Sequence, residues 1–299
     1  RLADLASPAE AGFAKAGRLA VVTTTTDLKS LVQAVGGDRV AVTSLVPPNA
    51  DPEEYQPRPQ DITRLKEARL VVRGGLDFDL WFDRLIGRAE RADLQRGRPG
   101  HIDASLDITL LDVHAQGVGP GDGHAHGSGN PHYWLDPKNA EIVTAHILER
   151  LADLDPAHAK LYEANRLEFL DRLEAKLKEW EEKLGSLKGQ AMVAHHNTWA
   201  YMARRFRLNF VGYVEPKAGV APSPAYLNKL IKLMKEREVR ILVREPREAE
   251  KNLAFLAEKT GARIVLLAGS VGAAPGIDDY LALFDFNVKA LLAAQEPRS

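Results

Sequence analysis

Four short stretches of the 299-residue chain concentrate side chains that can ligate a metal ion. They are Asp51-Pro52-Glu53-Glu54-Tyr55-Gln56-Pro57, Asn130-Pro131-His132-Tyr133-Trp134-Leu135-Asp136-Pro137, His195-His196-Asn197-Thr198-Trp199-Ala200-Tyr201 and Gly276-Ile277-Asp278-Asp279-Tyr280. Imidazole nitrogens and carboxylate oxygens are donors that hold zinc at about 2.0–2.2 Å. Taken singly, most of these residues admit a plainer role. Glu53 and Glu54 can be solvated in a Pro-rich loop, His132 can be a hydrogen-bonded structural histidine beside Trp134, and Asp278 can cap the last helix. The His195-His196 pair, at the end of an apolar run, points more directly to function.

The elements that must position these stretches are legible as alternating short apolar runs and helical segments. The runs are Leu19–Thr24, Val40–Val46 and Leu70–Val72 in the first half, then Ala191–Ala194, Phe210–Val214, Ile241–Val243 and Ile264–Leu267 in the second. Continuous apolar runs of this length between helices predict mainly parallel sheets covered on both faces, so the fold class is α/β, twice over. Ligands of open α/β sheets bind beyond the carboxyl ends of strands, and the four stretches fall after such strands or in loops beside them. Between the halves, Asp155-Pro156 reads as a cap with proline at the first helical position. From there to Gly185 no breaker intervenes, and Leu170, Leu173, Leu177, Trp180 and Leu184 form one apolar stripe. A preceding helix begins at Asp136-Pro137 with the same grammar. The expected organisation is an N-terminal lobe over 18–154, a linking helix over 155–185 and a C-terminal lobe over 186–299.

Composition sets limits. Lys plus Arg (40) nearly balance Asp plus Glu (41), which leaves no field of one sign to hold nucleic acid. Cysteine is absent, excluding disulfides, thiol nucleophiles, Cys-type zinc and a cysteine-borne lipid anchor within these residues. No run approaches the roughly 18–20 apolar residues of a membrane span. Residues 1–17 read as a loose leader without an apolar run.

The four stretches together resemble the zinc/manganese solute-binding proteins of ABC importers, the cluster A-I or cluster 9 family. The first matches an Asp-Pro-His-x-Tyr-x-Pro motif with Glu53 in place of the histidine. The second matches Pro-His-x-Trp-Leu-Asp-Pro with His132 as ligand. A His or Glu five residues before Tyr201 selects His196, and an acidic residue two before Tyr280 selects Asp278. The resemblance implies two lobes joined by a rigid helix, with a metal site of Glu53, His132, His196 and Asp278 between them. His195 replaces a ligand if the loop register differs. The implied cargo is Zn2+, with Mn2+ or Fe2+ as the alternative that two carboxylates favour. The implied partner is an ABC membrane permease, the implied location is periplasmic or extracytoplasmic, and a monomer suffices.

The Gly-rich stretch from Gly117 to Gly129, carrying His124 and His126 with His114 just before, corresponds to a His-containing loop (114–130) that the family commonly carries. It reads either as a metal-gathering device or as solvated spacer. Trp134, Trp199 and Tyr201 read as core packing beneath the site. Glu215-Pro216 and Arg244-Glu245-Pro246, each after a strand, are expected to line the cleft or to pair with one another. A zinc hydrolase is the rival from another class, with Glu54 as its base. It finds no His-Glu-x-x-His helix, Gly-x-Ser-x-Gly elbow or phosphate-binding Gly-Lys-Ser/Thr loop, so no enzyme is expected. A surface adhesin on the same scaffold is the third reading.

Overall fold

A computed structural model describes residues 17–112, 129–217 and 219–295. The Gly-rich stretch with His114, His124 and His126 lies outside the described residues.

The first four strands, β1 (Leu19–Thr23), β2 (Val40–Ser44), β3 (Leu70–Arg73) and β4 (His101–Asp103), form a parallel sheet in the order β2-β1-β3-β4. The next four, β5 (Ala191–Ala194), β6 (Asn209–Tyr213), β7 (Ile241–Arg244) and β8 (Arg263–Leu266), repeat that plan in the order β6-β5-β7-β8. Helices on both faces bury the central strands, which is why β3 is apolar without alternation until its final arginine. The chain is therefore two α/β lobes of matching topology. Strand β4 escaped the sequence reading because three residues, His101-Ile102-Asp103, offer no apolar run.

Helix α5 (Ala159–Lys183) joins the lobes. At 25 residues it is about 37 Å long. A tight 3-10 turn over Pro156–His158 precedes it without a break, so the helical segment begins where Asp155-Pro156 suggested. The Asp155 carboxylate is taken by His158 Nδ1 at 2.9 Å and Tyr162 Oη at 2.7 Å, so it does not cap the backbone. The stripe Leu173, Leu177, Trp180 and Leu184 is buried. One end of α5 is tied to α1 (Thr26–Gly36), where Asn165 Nδ2 donates to Val35 O at 2.9 Å. Its other end is tied to α9 (Tyr280–Ala293), where Trp180 Nε1 donates to Asp285 Oδ1 at 2.8 Å. The helix thus runs along both lobes and fixes their relation. A 3-10 turn over Pro137–Asn139 likewise precedes α4 (Ala140–Leu154), with Asp136 accepting from Lys138 N.

The lobes meet across a short seam. Trp134 Nε1 donates to Gly269 O at 2.9 Å, Val271 N to Asp27 Oδ1 at 2.9 Å, and Tyr280 N to Ser30 Oγ at 2.9 Å. Ser270 Oγ donates to Pro48 O. Among the described residues no helix is long and apolar enough to cross a membrane.

Candidate metal centre

In each lobe the crossovers from the two central strands depart in opposite directions, which opens a crevice at their carboxyl ends. The crevices lie beside β1 and β3 in the first lobe and beside β5 and β7 in the second. They face one another, and between them lies a cavity of about 40 Å³, bordered by Thr25, Pro52, Phe78, His132, Glu245 and Arg247 among others. That volume admits about three waters. It is far below the roughly 300 Å³ and more of sites for organic solutes.

His132 enters this space from the connection between β4 and α4. Its ring is buried and meets Phe78 and Trp134 at centroid distances of 5.7 and 5.3 Å. Asn130 Oδ1 accepts both the His132 backbone N–H at 3.0 Å and ring Nδ1 at 2.9 Å. A backbone N–H can only donate, so the atom facing both groups is the amide oxygen. Nδ1 therefore carries the proton, and the lone pair lies on Nε2. The segment is pinned on either side. Tyr133 Oη donates to Gly74 O at 2.8 Å, Tyr201 Oη donates to Asn130 O at 2.8 Å, and Arg205 makes a two-pronged ion pair with buried Asp136 at 2.7 and 3.0 Å. Trp134, Trp199 and Tyr201 are buried, as core packing beneath the site requires.

His196 comes from the other lobe, just past β5. Its Nδ1 meets Glu215 Oε2 at 2.8 Å; a carboxylate can only accept, so again the lone pair is on Nε2. Burial opposes the charged ring, but the Glu215 hydrogen bond and charge outweigh it and raise the His196 pKa above its ordinary value. The rings of His132 and His196 stand edge to face with centroids 5.6 Å apart. His195 does not share this position. Chain direction alternates side chains along an extended segment, and His195 turns away, its Nδ1 at ion-pair distance (3.2 Å) from Glu248.

The two expected carboxylates do not border the cavity. Glu53 borders a separate recess with Tyr55, Trp81 and Arg84, and its backbone N–H donates to Asp51 Oδ1 at 2.9 Å. Its neighbours do reach the cleft: Pro52 borders the cavity and Asp51 Oδ2 accepts from Arg247 Nη1 at 2.5 Å. Asp278 is exposed, and its neighbour Asp279 caps α9 by accepting from Ala282 N at 2.8 Å. Among the described residues no three His, Asp or Glu side chains stand together as a metal-holding group.

Other groups fill the cleft instead. Glu245, directly after β7, is buried and accepts from Thr198 Oγ1 at 2.9 Å. Arg247 Nη2 lies 3.6 Å from Glu245 Oε2 while its Nη1 holds Asp51 of the first lobe. Glu215 and Glu245 do line the region, yet they serve His196 and Thr198; Arg244 instead faces Glu248 O and Glu250. The position of Glu245 at the β5/β7 crevice was available from strand order, which sequence alone did not supply.

The family described as the zinc-uptake complex component A, periplasmic (ZnuA), matches residues 21–294. The chain belongs to that family. It is 29% identical over 251 residues, 83% of this chain and 78% of the relative, to a putative metal-binding protein of Treponema pallidum. It is 25% identical over 281 residues, 92% of this chain and 86% of the relative, to the iron-binding protein YfeA of Yersinia pestis. A crystal structure of ZnuA superposes with a TM-score of 0.79 at 27% identity, covering 93% of this chain and all (100%) of that one. The solute-binding protein FpvC of Pseudomonas aeruginosa, solved in complex with Mn2+, gives 0.76 at 26% identity over 93% and 98% of the two chains. Relatives and neighbours of this kind are binding proteins, not enzymes, and the hydrolase alternative falls with them.

Proposed function

We propose that the chain is the periplasmic binding component of an ABC importer that takes one divalent transition metal between its lobes and delivers it to a membrane permease. The observation that carries this reading is the apposition of His132 and His196. They come from different lobes, and each is oriented by a hydrogen bond at Nδ1 that places the lone pair on Nε2. A hydrogen bond on the far ring nitrogen is how proteins orient imidazoles for metal. The small cavity supports an ion over an organic solute.

Zinc is the proposed cargo, because two imidazoles with carboxylates suit a four-coordinate zinc and zinc outranks manganese and iron in intrinsic affinity. Glu53 and Asp278 are the carboxylates that the family motifs put forward. Glu53 follows Pro52, which borders the cavity, whereas Asp278 is exposed. Delivery requires nothing beyond one chain, so a monomer is the proposed working form.

The test is elemental analysis of protein purified without added metal, followed by competition between Zn2+ and Mn2+. One tight ion per chain with zinc preferred is the expected result; a melt unmoved by stoichiometric Zn2+ and Mn2+ refutes the reading. Glu53→His is expected to keep binding and raise the Zn/Mn affinity ratio, since an imidazole replaces a hard oxygen. An unchanged ratio removes Glu53 from the coordination shell.

A further inference from the structure

Glu245 and Arg247 are charged groups that the C-terminal lobe sets at the cavity and that no family motif accounts for. We propose that Glu245 is the carboxylate with which the C-terminal lobe holds the ion, and that Arg247 masks it in the metal-free protein. The inference rests on the metal-binding reading above and goes beyond it in naming a ligand and a displaceable cation.

Three observations place Glu245 in this role. It leaves β7 at the crevice beside β5, the same crevice that displays His196, and it borders the cavity together with His132. It is 6% exposed, and burying a carboxylate without full compensation is costly. Its Oε2 has one hydroxyl donor, Thr198, and a guanidinium at 3.6 Å. That is a poor set of partners for an ionised group at this depth. Lastly, the fold keeps space open for it. A Cβ at Gly269, just past β8, would lie 2.2 Å from Glu245 Oε1. Any side chain there would displace the carboxylate, so glycine at 269 and glutamate at 245 are complementary choices. Asp278, by contrast, is exposed.

Arg247 supplies what the buried carboxylate lacks while no ion is bound. Its guanidinium spans the lobes from Asp51, at 2.5 Å, to Glu245. A divalent ion held by the imidazoles and Glu245 would repel a guanidinium so near. Loading therefore exchanges one cation for another: the ion takes Glu245, and Arg247 withdraws toward Asp51 and solvent, to which its side chain is already 28% exposed. The exchange makes affinity lower than the donor set alone would give, which favours release.

Calorimetric titration of Zn2+, and separately Mn2+, into the wild type, Glu245→Gln, Arg247→Gln and His132→Ala tests this, with a metal-free melt of each variant first. Glutamine at 245 keeps the size and the Thr198 contact but loses the charge. Binding is expected to weaken by more than about tenfold, the lower bound for losing even an outer-shell partner. Arg247→Gln is expected to tighten binding by about tenfold through loss of the competing charge. Wild-type affinity in Glu245→Gln, or weaker binding in Arg247→Gln, overturns the inference. If His132→Ala abolishes binding while Glu245→Gln does not alter it, the inference fails and the metal-binding function stands; if the wild type binds neither ion, both fail. A structure of the zinc-loaded wild type needs no variant to fold: a Glu245 oxygen at about 2.0–2.2 Å from zinc is the expected result, and a complete shell without Glu245 overturns it.

Discussion

The two lobes share one strand order, yet they treat the crevice that this order creates in opposite ways. In the N-terminal lobe the crevice is closed by a saturated network. Arg73, the last residue of β3 and fully buried, donates from Nε and Nη2 to Asp79 Oδ1 at 2.9 and 2.6 Å and from Nη1 to Asp83 at 2.8 Å. Asp79 also accepts from Gly74 N at 2.6 Å, which fixes the turn that holds Phe78 against His132. In the C-terminal lobe the same crevice displays His195, His196, Glu245, Arg247 and Glu248; Glu245 meets its guanidinium only at 3.6 Å and His195 meets Glu248 at 3.2 Å, while the short pair of Arg247, at 2.5 Å, is made with Asp51 of the other lobe. One lobe is a wall and the other a set of movable charges. A topology that offers two equivalent sites thus needs chemistry in only one. The wall contributes its single imidazole from outside its own crevice, on the long connection before α4.

The strongest way to break this comparison is to remove the arginine of the wall. We predict that Arg73→Ala strands the buried Asp79 carboxylate, while Asp83, part-exposed, keeps Arg96, and destabilises the metal-free protein by about 3–5 kcal/mol, the range for breaking a buried ion pair by removing one partner. Removing Arg247, part-exposed, should cost far less. Urea denaturation of both variants checks the contrast, and equal losses would show that the C-terminal crevice is as rigidly built as the other.

Next in size is the contribution of each lobe to the ion. His132→Ala and His196→Ala are each expected to weaken zinc by at least about 100-fold, since second-shell losses alone reach that range, and to remove most of the metal-induced rise in melting temperature. If one substitution is silent, the site belongs to a single lobe and the cleft is not the binding place.

Much of this was legible from residues alone, for reasons that differ by region. The α/β class followed from unbroken apolar runs such as Ala191–Ala194, because strands buried on both faces cannot alternate. The family resemblance, counted back from Tyr201, selected His196 over His195, and the structure turns the two rings to different partners. The start of the linking segment at Pro156 was legible, but the role of Asp155 was not, because its carboxylate found His158 and Tyr162 instead of the backbone. Glu245 was seen as a cleft residue but given no role, since the order of strands in a sheet, which puts it beside His196, is not written in local pattern. The seam carboxylate Asp27 carried no sequence signal, because its partner Val271 lies 244 residues away.

Asp27 offers a smaller test, directed at the seam between the lobes. Burial pushes its pKa up from 3.8 to about 7, against the Val271 N–H that favours the anion. A carboxyl whose folded pKa exceeds its unfolded value supports the fold when protonated. That contribution is full below about pH 4 and is lost as pH rises through about 7. Asparagine keeps the acceptor for Val271 and cannot ionise. Asp27→Asn is therefore expected to raise the metal-free melting temperature by about 2–4 °C at pH 8, the shift that ~1 kcal/mol produces in a protein near this size. At pH 4.5 the gain should be much smaller. A gain that does not shrink with acidity means that ionisation at the seam is not its source.

The smallest expected effect concerns the Gly-rich stretch. Its two flanks are tied to each other where Asn130 N donates to Leu111 O at 2.8 Å. Asn130 is further held by Tyr201, and through Asn197 O to the C-terminal lobe at 3.0 Å. The residue that orients His132 therefore takes its position from packed neighbours and not from the length of chain preceding it. Excising Gly117–Gly129 should leave the tight zinc event and the metal-free stability unchanged, since so Gly-rich a sequence offers little apolar surface to bury. His124 and His126 are tethered close to His132 along the chain, at high effective concentration. Two imidazoles on a Gly-rich tether pay an ordering cost on binding, so the intact chain should show a second, weaker event that the deletion lacks. Loss of the tight event on deletion would make the stretch a source of a primary ligand. A single event in the intact chain would leave the two histidines as spacer.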